Sequence, residues 1–207
     1  HYKLGYKLYD IINHKDHPNL ILSGISKSGK TLLLKTLLND IFNINKSLRT
    51  EILYDNVQYE KSNTHFYFDM KLIHNDDKFI NHLKKIINGY NYYTNTCNYI
   101  VFDNYESVSV VVQNKLRVLL EKSMKTSKII IITQRYNQVI DPLKSRFLNI
   151  RIPLHKTYDK FLYFRELFMK HMFIIDDDIL MNIIKKHDNI DFNLINILGY
   201  FKTKQIH

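Results

Sequence analysis

The residues with the clearest chemical capacity lie in Gly24-Ile25-Ser26-Lys27-Ser28-Gly29-Lys30-Thr31, after the apolar run Leu20-Ile21-Leu22 and before the helical pattern Leu32-Leu33-Leu34 and Leu37-Leu38. A phosphate chain needs many donors converging at close range, and a loop bearing Gly24 and Gly29 can turn successive backbone N–H groups inward. The positive end of a helix starting near Lys30 adds to that anion site. Lys30 can reach the β- and γ-phosphates, and the Thr31 hydroxyl is placed to ligate Mg²⁺. Strand, glycine loop and helix in this order make a P-loop in the setting it requires, with ATP and Mg²⁺ as the expected ligands.

The second half of such a site is an apolar strand that ends in a carboxylate, and Tyr99-Ile100-Val101-Phe102-Asp103 has that form. Asp103 is then expected to hold Mg²⁺, directly or through water. Hydrolytic P-loop proteins usually carry Glu at the next position to polarise the attacking water, but here it is Asn104. An amide can orient a water by hydrogen bonding, yet it cannot accept a proton. Glu106 is the alternative carboxylate, two residues on. ATP binding is therefore expected, with weak hydrolysis in the chain's own site.

The elements that must position these residues follow a repeating pattern. After the P-loop helix, which the pattern carries to about Phe42, residues 43–64 read as polar and irregular. His65-Phe66-Tyr67-Phe68-Asp69 gives a second strand, and Phe79, Ile80, Leu83, Ile86 and Ile87 recur at helical spacing. The strand ending at Asp103 is followed by a helix with Val112, Leu116, Leu119 and Leu120 on one side. Lys128 to Thr133 and Leu148 to Ile152 supply two more strands before Pro153 closes the pattern. Alternating strands and helices predict an α/β fold with a mostly parallel five-stranded sheet over residues 1–154. Residues 155–207 lack strand signal and read as a small all-helical domain, with helices near 158–171, 176–187 and 191–202. Acidic Asp176-Asp177-Asp178 opens one of these helices and complements its positive end.

At 207 residues and 45% hydrophobic content the chain can bury a proper core, which excludes disorder as its main state. No apolar run approaches the roughly 18 residues of a membrane span, and no signal-peptide pattern is present, so a soluble intracellular protein without a membrane partner is expected. The single cysteine, Cys97, reads as a packing residue. Lys and Arg outnumber Asp and Glu 30 to 20, giving a net charge of +10 that favours polyanionic partners, nucleic acid first among them. Lys115, Arg117 and Lys122, with Lys125 and Lys128, lie on and just after one helix and are the candidate contacts to a DNA backbone.

Tyr99 to Pro153 resembles the AAA+ module of clamp loaders, in particular the small subunits of replication factor C, and the helical tail resembles their lid domain. The most specific segment is Ile140-Asp141-Pro142-Leu143-Lys144-Ser145-Arg146-Phe147-Leu148-Asn149-Ile150-Arg151-Ile152-Pro153, similar to the stretch carrying the family's Ser-Arg-Cys motif, with Phe147 in place of the cysteine. Gln113-Asn114-Lys115-Leu116-Arg117 and His17-Pro18-Asn19-Leu20-Ile21-Leu22 also match. The resemblance implies that Arg146 is an arginine finger acting on ATP held by a neighbouring subunit. It also implies sibling clamp-loader subunits, a sliding clamp and primer-template DNA as partners, in DNA replication and repair. Gln134 stands where the family carries its sensor-1 Asn, and the segment near Phe192-Asn193-Leu194 lacks the sensor-2 arginine. With Asn104, three γ-phosphate contacts are altered, as in clamp-loader subunits that bind nucleotide without efficient turnover. Family collar helices do not occur before His207, and the chain begins at His1 without a methionine. The work would be done in the nucleus of a eukaryotic cell, or at the replication site of a large DNA virus. Two alternatives remain open: a stand-alone AAA+ initiator or remodelling ATPase acting on DNA, and a structural subunit with an empty P-loop, against which Lys30 and Thr31 argue.

Overall fold

Strand β1 (Asn19–Ser23) is buried along its whole length, and its side chains divide between two cores: Ile21 belongs to one, Leu20 and Leu22 to the other. The same alternation runs through β5 (Asn98–Asp103) and β6 (Ser127–Thr133). Ile100, Phe102, Ile129 and Ile131 face one core, and Tyr99, Val101, Ile130 and Ile132 face the other. Continuous apolar runs of this kind fit strands covered on both faces. The first core is closed by α3 (Asp76–Asn88) through Phe79, Leu83 and Ile87, and by α4 (Val110–Ser123) through Val112, Leu116 and Leu120. The second is closed by α1 (Tyr2–Asn13) through Leu8 and Ile12, and by α2 (Lys30–Phe42) through Leu34, Leu37 and Leu38. The result is a helix–sheet–helix sandwich.

The computed structural model describes residues 2–14, 16–42, 50–62, 65–88, 98–123, 127–170 and 175–186. It divides the chain into two compact units, His1–Ile152 and Pro153–His207. The first unit holds a seven-stranded sheet in the order β2-β3-β4-β5-β6-β1-β7, with β2 at Thr50–Tyr54, β3 at Val57–Lys61, β4 at His65–Asp69 and β7 at Phe147–Arg151. The five expected strands form its parallel part, from β4 to β7. The other two correct the reading of residues 43–64 as irregular: β2 and β3 are an antiparallel hairpin extending the sheet beyond β4. Its two-residue turn, Asp55-Asn56, has φ of 51° and 64°, the left-handed pair of a type I′ turn, which Asp and Asn adopt more readily than most residues.

Because β1 lies between β6 and β7, the strand order switches direction beside the P-loop. Ligands in such sheets bind outside the carboxyl ends of the strands at this switch. Register brings those ends level: Ser23 pairs with Thr133, and Asp69 with Asp103.

In the second unit α6 (Thr157–Lys170) and α7 (Asp177–Lys186) pack through Phe161, Phe164, Phe168, Leu180 and Ile184. Asp176 Oδ1 accepts a 2.8 Å bond from the Asp178 N–H, so this acid caps the start of α7. The helix read near 191–202, Cys97 and the segment around Phe192 lie outside the described residues. Among the described residues no group of three or more metal-ligating side chains forms a cluster, and no helix is long and apolar enough to cross a membrane.

Candidate nucleotide-binding site

The loop from Gly24 to Gly29 joins β1 to α2, and its two glycines are required for different reasons. Gly29 has φ of 81°, in the left-handed region that glycine enters without steric cost. At Gly24 the constraint is space: a Cβ would sit 2.3 Å from the Ile152 carbonyl oxygen. That carbonyl is held close because the Ile152 N–H donates to Ser23 O at 2.7 Å, continuing the β1–β7 pairing. Lys27 also adopts positive φ, at 60°, and Gly29 O accepts the N–H of Leu33 at 2.8 Å as α2 begins. Such a turn leaves the first N–H groups of α2 for an anion.

Lys30 is buried, and its ammonium donates to Gly24 O at 2.8 Å, Ile25 O at 2.7 Å and Ser28 Oγ at 3.3 Å. Burial pulls its pKa below the usual lysine value, while the negative charges of Asp103 and Glu106 pull it back up. A partly desolvated cation held by loop carbonyls is matched to a phosphate oxygen. Thr31 Oγ1 donates to Asp103 Oδ2 at 2.7 Å, so the two expected Mg²⁺-holding residues meet across 72 positions of sequence. Oxygen donors of this kind suit a hard divalent cation. The residues present therefore fit Mg²⁺ with a nucleotide phosphate, and the metal would supply charge neutralisation there.

Asp103 is more elaborately held than its sequence context indicates. Tyr67, on β4, donates its hydroxyl to the same Oδ2 at very short range, and Asp103 Oδ1 accepts the Asn104 N–H at 2.7 Å. The phenol pKa is pushed far above its ordinary value, first by burial and then by the Asp103 charge, which keeps the proton on Tyr67 for its bond to Asp103. Lys35 Nζ lies 4.0 Å from the Tyr67 ring centre and pairs with Glu60 at 2.8 Å.

Asn104 sits in the left-handed region, with φ of 52° and ψ of 41°, and its amide donates to Asp69 Oδ1 at 2.8 Å. Glu106 is anchored elsewhere: its Oε2 accepts Thr133 Oγ1 at 3.1 Å and the Gln134 N–H at 3.0 Å, at the end of β6. The Gln134 side chain itself is exposed. P-loop, Thr31, Asp103, Asn104, Glu106 and Gln134 thus gather at one end of the sheet. Tyr67 and Asp69 join them and were not singled out from the sequence.

Arg146 is at the other end. It immediately precedes β7, whose Phe147 pairs with Asn19 at the start of β1. The five residues of β1 put it roughly 16 Å along the sheet from the P-loop, at about 3.3 Å per residue. Its guanidinium donates to Pro142 O at 2.7 Å and lies 3.1 Å from Glu121.

Among the described residues, the candidate DNA cations Lys115 and Arg117 do not share one helix face. Lys115 and Arg117 flank buried Leu116, and residues two apart on a helix point away from each other. Lys115 pairs with Asp77 at 2.7 Å and Arg117 with Glu121 at 3.9 Å, while Lys128 straps the His17 carbonyl at 2.7 Å. The side chains of Lys122 and Lys125 lie outside the described residues.

No family model matches the chain. A protein of Acanthamoeba polyphaga mimivirus, provisionally described as a replication factor C small subunit, is 27% identical over 160 residues, covering 70% of this chain and 42% of that protein. Among solved structures, a DNA polymerase III gamma-subunit-related protein from Thermotoga maritima superposes with a TM-score of 0.57 at 15% identity, covering 81% of this chain and 52% of the other. A variant of RuvB from the same organism gives a TM-score of 0.62 at 14% identity, covering 93% and 57%. The chain thus spans less than half of its curated relative and little more than half of these structures. It shares the fold of these AAA+ ATPase structures, and over 160 residues its sequence is similar to that mimivirus protein.

Proposed function

We propose that the chain is the ATP-binding part of a small subunit of a replication-factor-C-like clamp loader, which places a sliding clamp on primer-template DNA. Its site holds ATP with Mg²⁺ and turns it over slowly, because position 104 offers an amide where a proton acceptor is needed. Arg146 serves ATP bound by a neighbouring subunit. The observation that carries this reading is the separation of the parts: Lys30, Thr31 and Asp103 at one end of the sheet, Arg146 at the other.

DNA contact in this reading is made to the backbone, without base readout. Lys115 and Arg117 reach phosphate by exchanging exposed ion pairs, which solvent screens and which are readily given up. The mimivirus relative favours a viral replication site over a nucleus as the setting.

Equilibrium titration with ATP and Mg²⁺ tests the site. Lys30→Ala in the full-length protein should weaken binding by at least tenfold, and unchanged affinity would remove the nucleotide reading. Affinity capture of the full-length protein tests the assembly: recovery of a ring-forming clamp with sibling subunits supports a loader. A self-assembling ring without them supports the stand-alone remodelling ATPase instead.

A further inference from the structure

Strand β4 repeats the pattern of β5: an apolar run that ends in an aspartate at the carboxyl edge of the sheet, with Asp69 paired in register to Asp103. Asp103 is occupied by three donors, as expected of a residue that fixes a metal. Asp69 is held differently. Its Oδ1 accepts the Lys71 N–H at 3.0 Å and the Asn104 amide at 2.8 Å, while among the described residues its Oδ2 carries no hydrogen bond. The side chain is only half-buried, so the second oxygen keeps access to water.

We infer that Asp69 is the carboxylate that takes the proton of the attacking water in this site, with Asn104 as the positioning residue that aims it. The inference rests on the nucleotide reading above and supplies the acceptor that position 104 lacks. In the step it assigns, the water oxygen bonds to the γ-phosphorus and the bridging P–O bond breaks with its electron pair leaving on ADP. The water proton passes to Asp69. Asn104 donates its amide to Oδ1, which orients the carboxylate and leaves Oδ2 for the water. Glu106 is the competing carboxylate: its Oε2 accepts from Thr133 and Gln134, which brace it against the end of β6, and among the described residues its Oε1 carries no hydrogen bond, so the experiment below has to separate the two acids.

The pair dictates an exchange experiment. Asp69→Asn keeps the cap on the Lys71 N–H, because Asn caps as well as Asp, and it removes only the base. Asn104→Glu alone sets two carboxylates against each other. The double variant Asp69→Asn with Asn104→Glu restores an amide–carboxylate pair with the acid moved to position 104. Single-turnover ATP hydrolysis is measured on the full-length protein with its partner subunits, and the Lys30→Ala complex is subtracted to isolate this site. Asp69→Asn should lower the rate at least tenfold with ATP affinity unchanged. Asn104→Glu should give no gain, and the double variant should regain or exceed the wild-type rate. In urea, Asn104→Glu should lower the unfolding midpoint and adding Asp69→Asn should recover only the part that comes from the repulsion between the two carboxylates, a readout independent of turnover.

A wild-type rate equal to the Lys30→Ala background, an unaffected Asp69→Asn rate, or absence of the urea rescue would each overturn the inference. Loss of the rate in Glu106→Gln with Asp69→Asn unaffected would transfer the role to Glu106. Failure of the nucleotide reading shows separately, as ATP affinity that Lys30→Ala leaves intact.

Discussion

Replacing Tyr67 by Phe removes one oxygen atom and tests whether Asp103 is held as the geometry indicates. Both residues are buried, at 8% and 6% exposure, so water does not replace the lost donor. The aromatic face beneath Lys35 is preserved in Phe, which leaves the cation–π contact in place and isolates the hydroxyl. A hydrogen bond to an ionised group contributes about 1.5–3 kcal/mol. At an m-value of about 2 kcal/mol/M the urea midpoint should fall by roughly 1 M, with the slope unchanged. Thr31 donates to the same oxygen, so a cycle with Thr31→Val should be more than additive: only the double variant leaves Oδ2 with no donor. Affinity for ATP with Mg²⁺ should also fall in Tyr67→Phe, because Asp103 loses one of the groups that orient it. A midpoint shift below about 0.2 M, or strict additivity with Thr31→Val, would refute the account.

For Arg146→Ala, ATP binding by the chain itself should be unchanged while ATPase of the assembled complex drops on the order of 10³-fold at the neighbouring site; an unaltered complex rate would remove the role in trans. His82 is predicted to make stability fall in acid. Among the described residues its two ring nitrogens have no hydrogen-bond partner, it stacks on Tyr54 at 4.9 Å and lies tilted against Tyr59 at 5.0 Å, and burial, then the charge of Lys85, lowers its pKa against the opposing pull of Asp55. The unfolded state then binds the proton more readily, so stability is highest above pH 6.5, the ordinary histidine value, and is lost as pH falls below it. His82→Phe should flatten that slope in urea titrations across pH 5 to 8, leaving the share that His17, also lowered by burial, contributes; an unchanged slope would show that His82 is not its source.

The five parallel strands were legible because each is a continuous apolar run, and a strand covered on both faces has to be one. The hairpin of β2 and β3 escaped notice for the opposite reason. Lying at the sheet's edge, it buries only Val57 and Tyr59 among its strand residues, and its turn uses Asp55-Asn56 without the glycine that usually marks such a bend. The placement of the P-loop and of Asp103 could be read because it is fixed by local spacing. Tyr67 and Asp69 depend on which strand lies beside β5, a long-range fact that spacing does not contain. One signal was nevertheless available: two apolar strands each end in aspartate, and adjacent parallel strands would bring those acids together. The charge count is silent on placement for a related reason. The fold pairs Lys115 with Asp77 and Arg117 with Glu121, which a sum over the whole chain cannot locate.

Position 104 shows how far one substitution can be understood from its neighbours. By sequence, Asn104→Glu is the evident way to restore turnover, since it returns an acid to the expected place. In the structure that change meets two obstacles. The backbone there is left-handed, which Asn tolerates and Glu does not, at a cost of about 1–2 kcal/mol. The amide also donates to Asp69, so a glutamate would exchange a hydrogen bond for a repulsion. The gain should therefore come only with Asp69→Asn, and the strain should persist in the double variant as a stability deficit that the exchanged pair does not repair. A single Asn104→Glu variant that hydrolysed ATP faster, without loss of stability, would show that the two positions act independently.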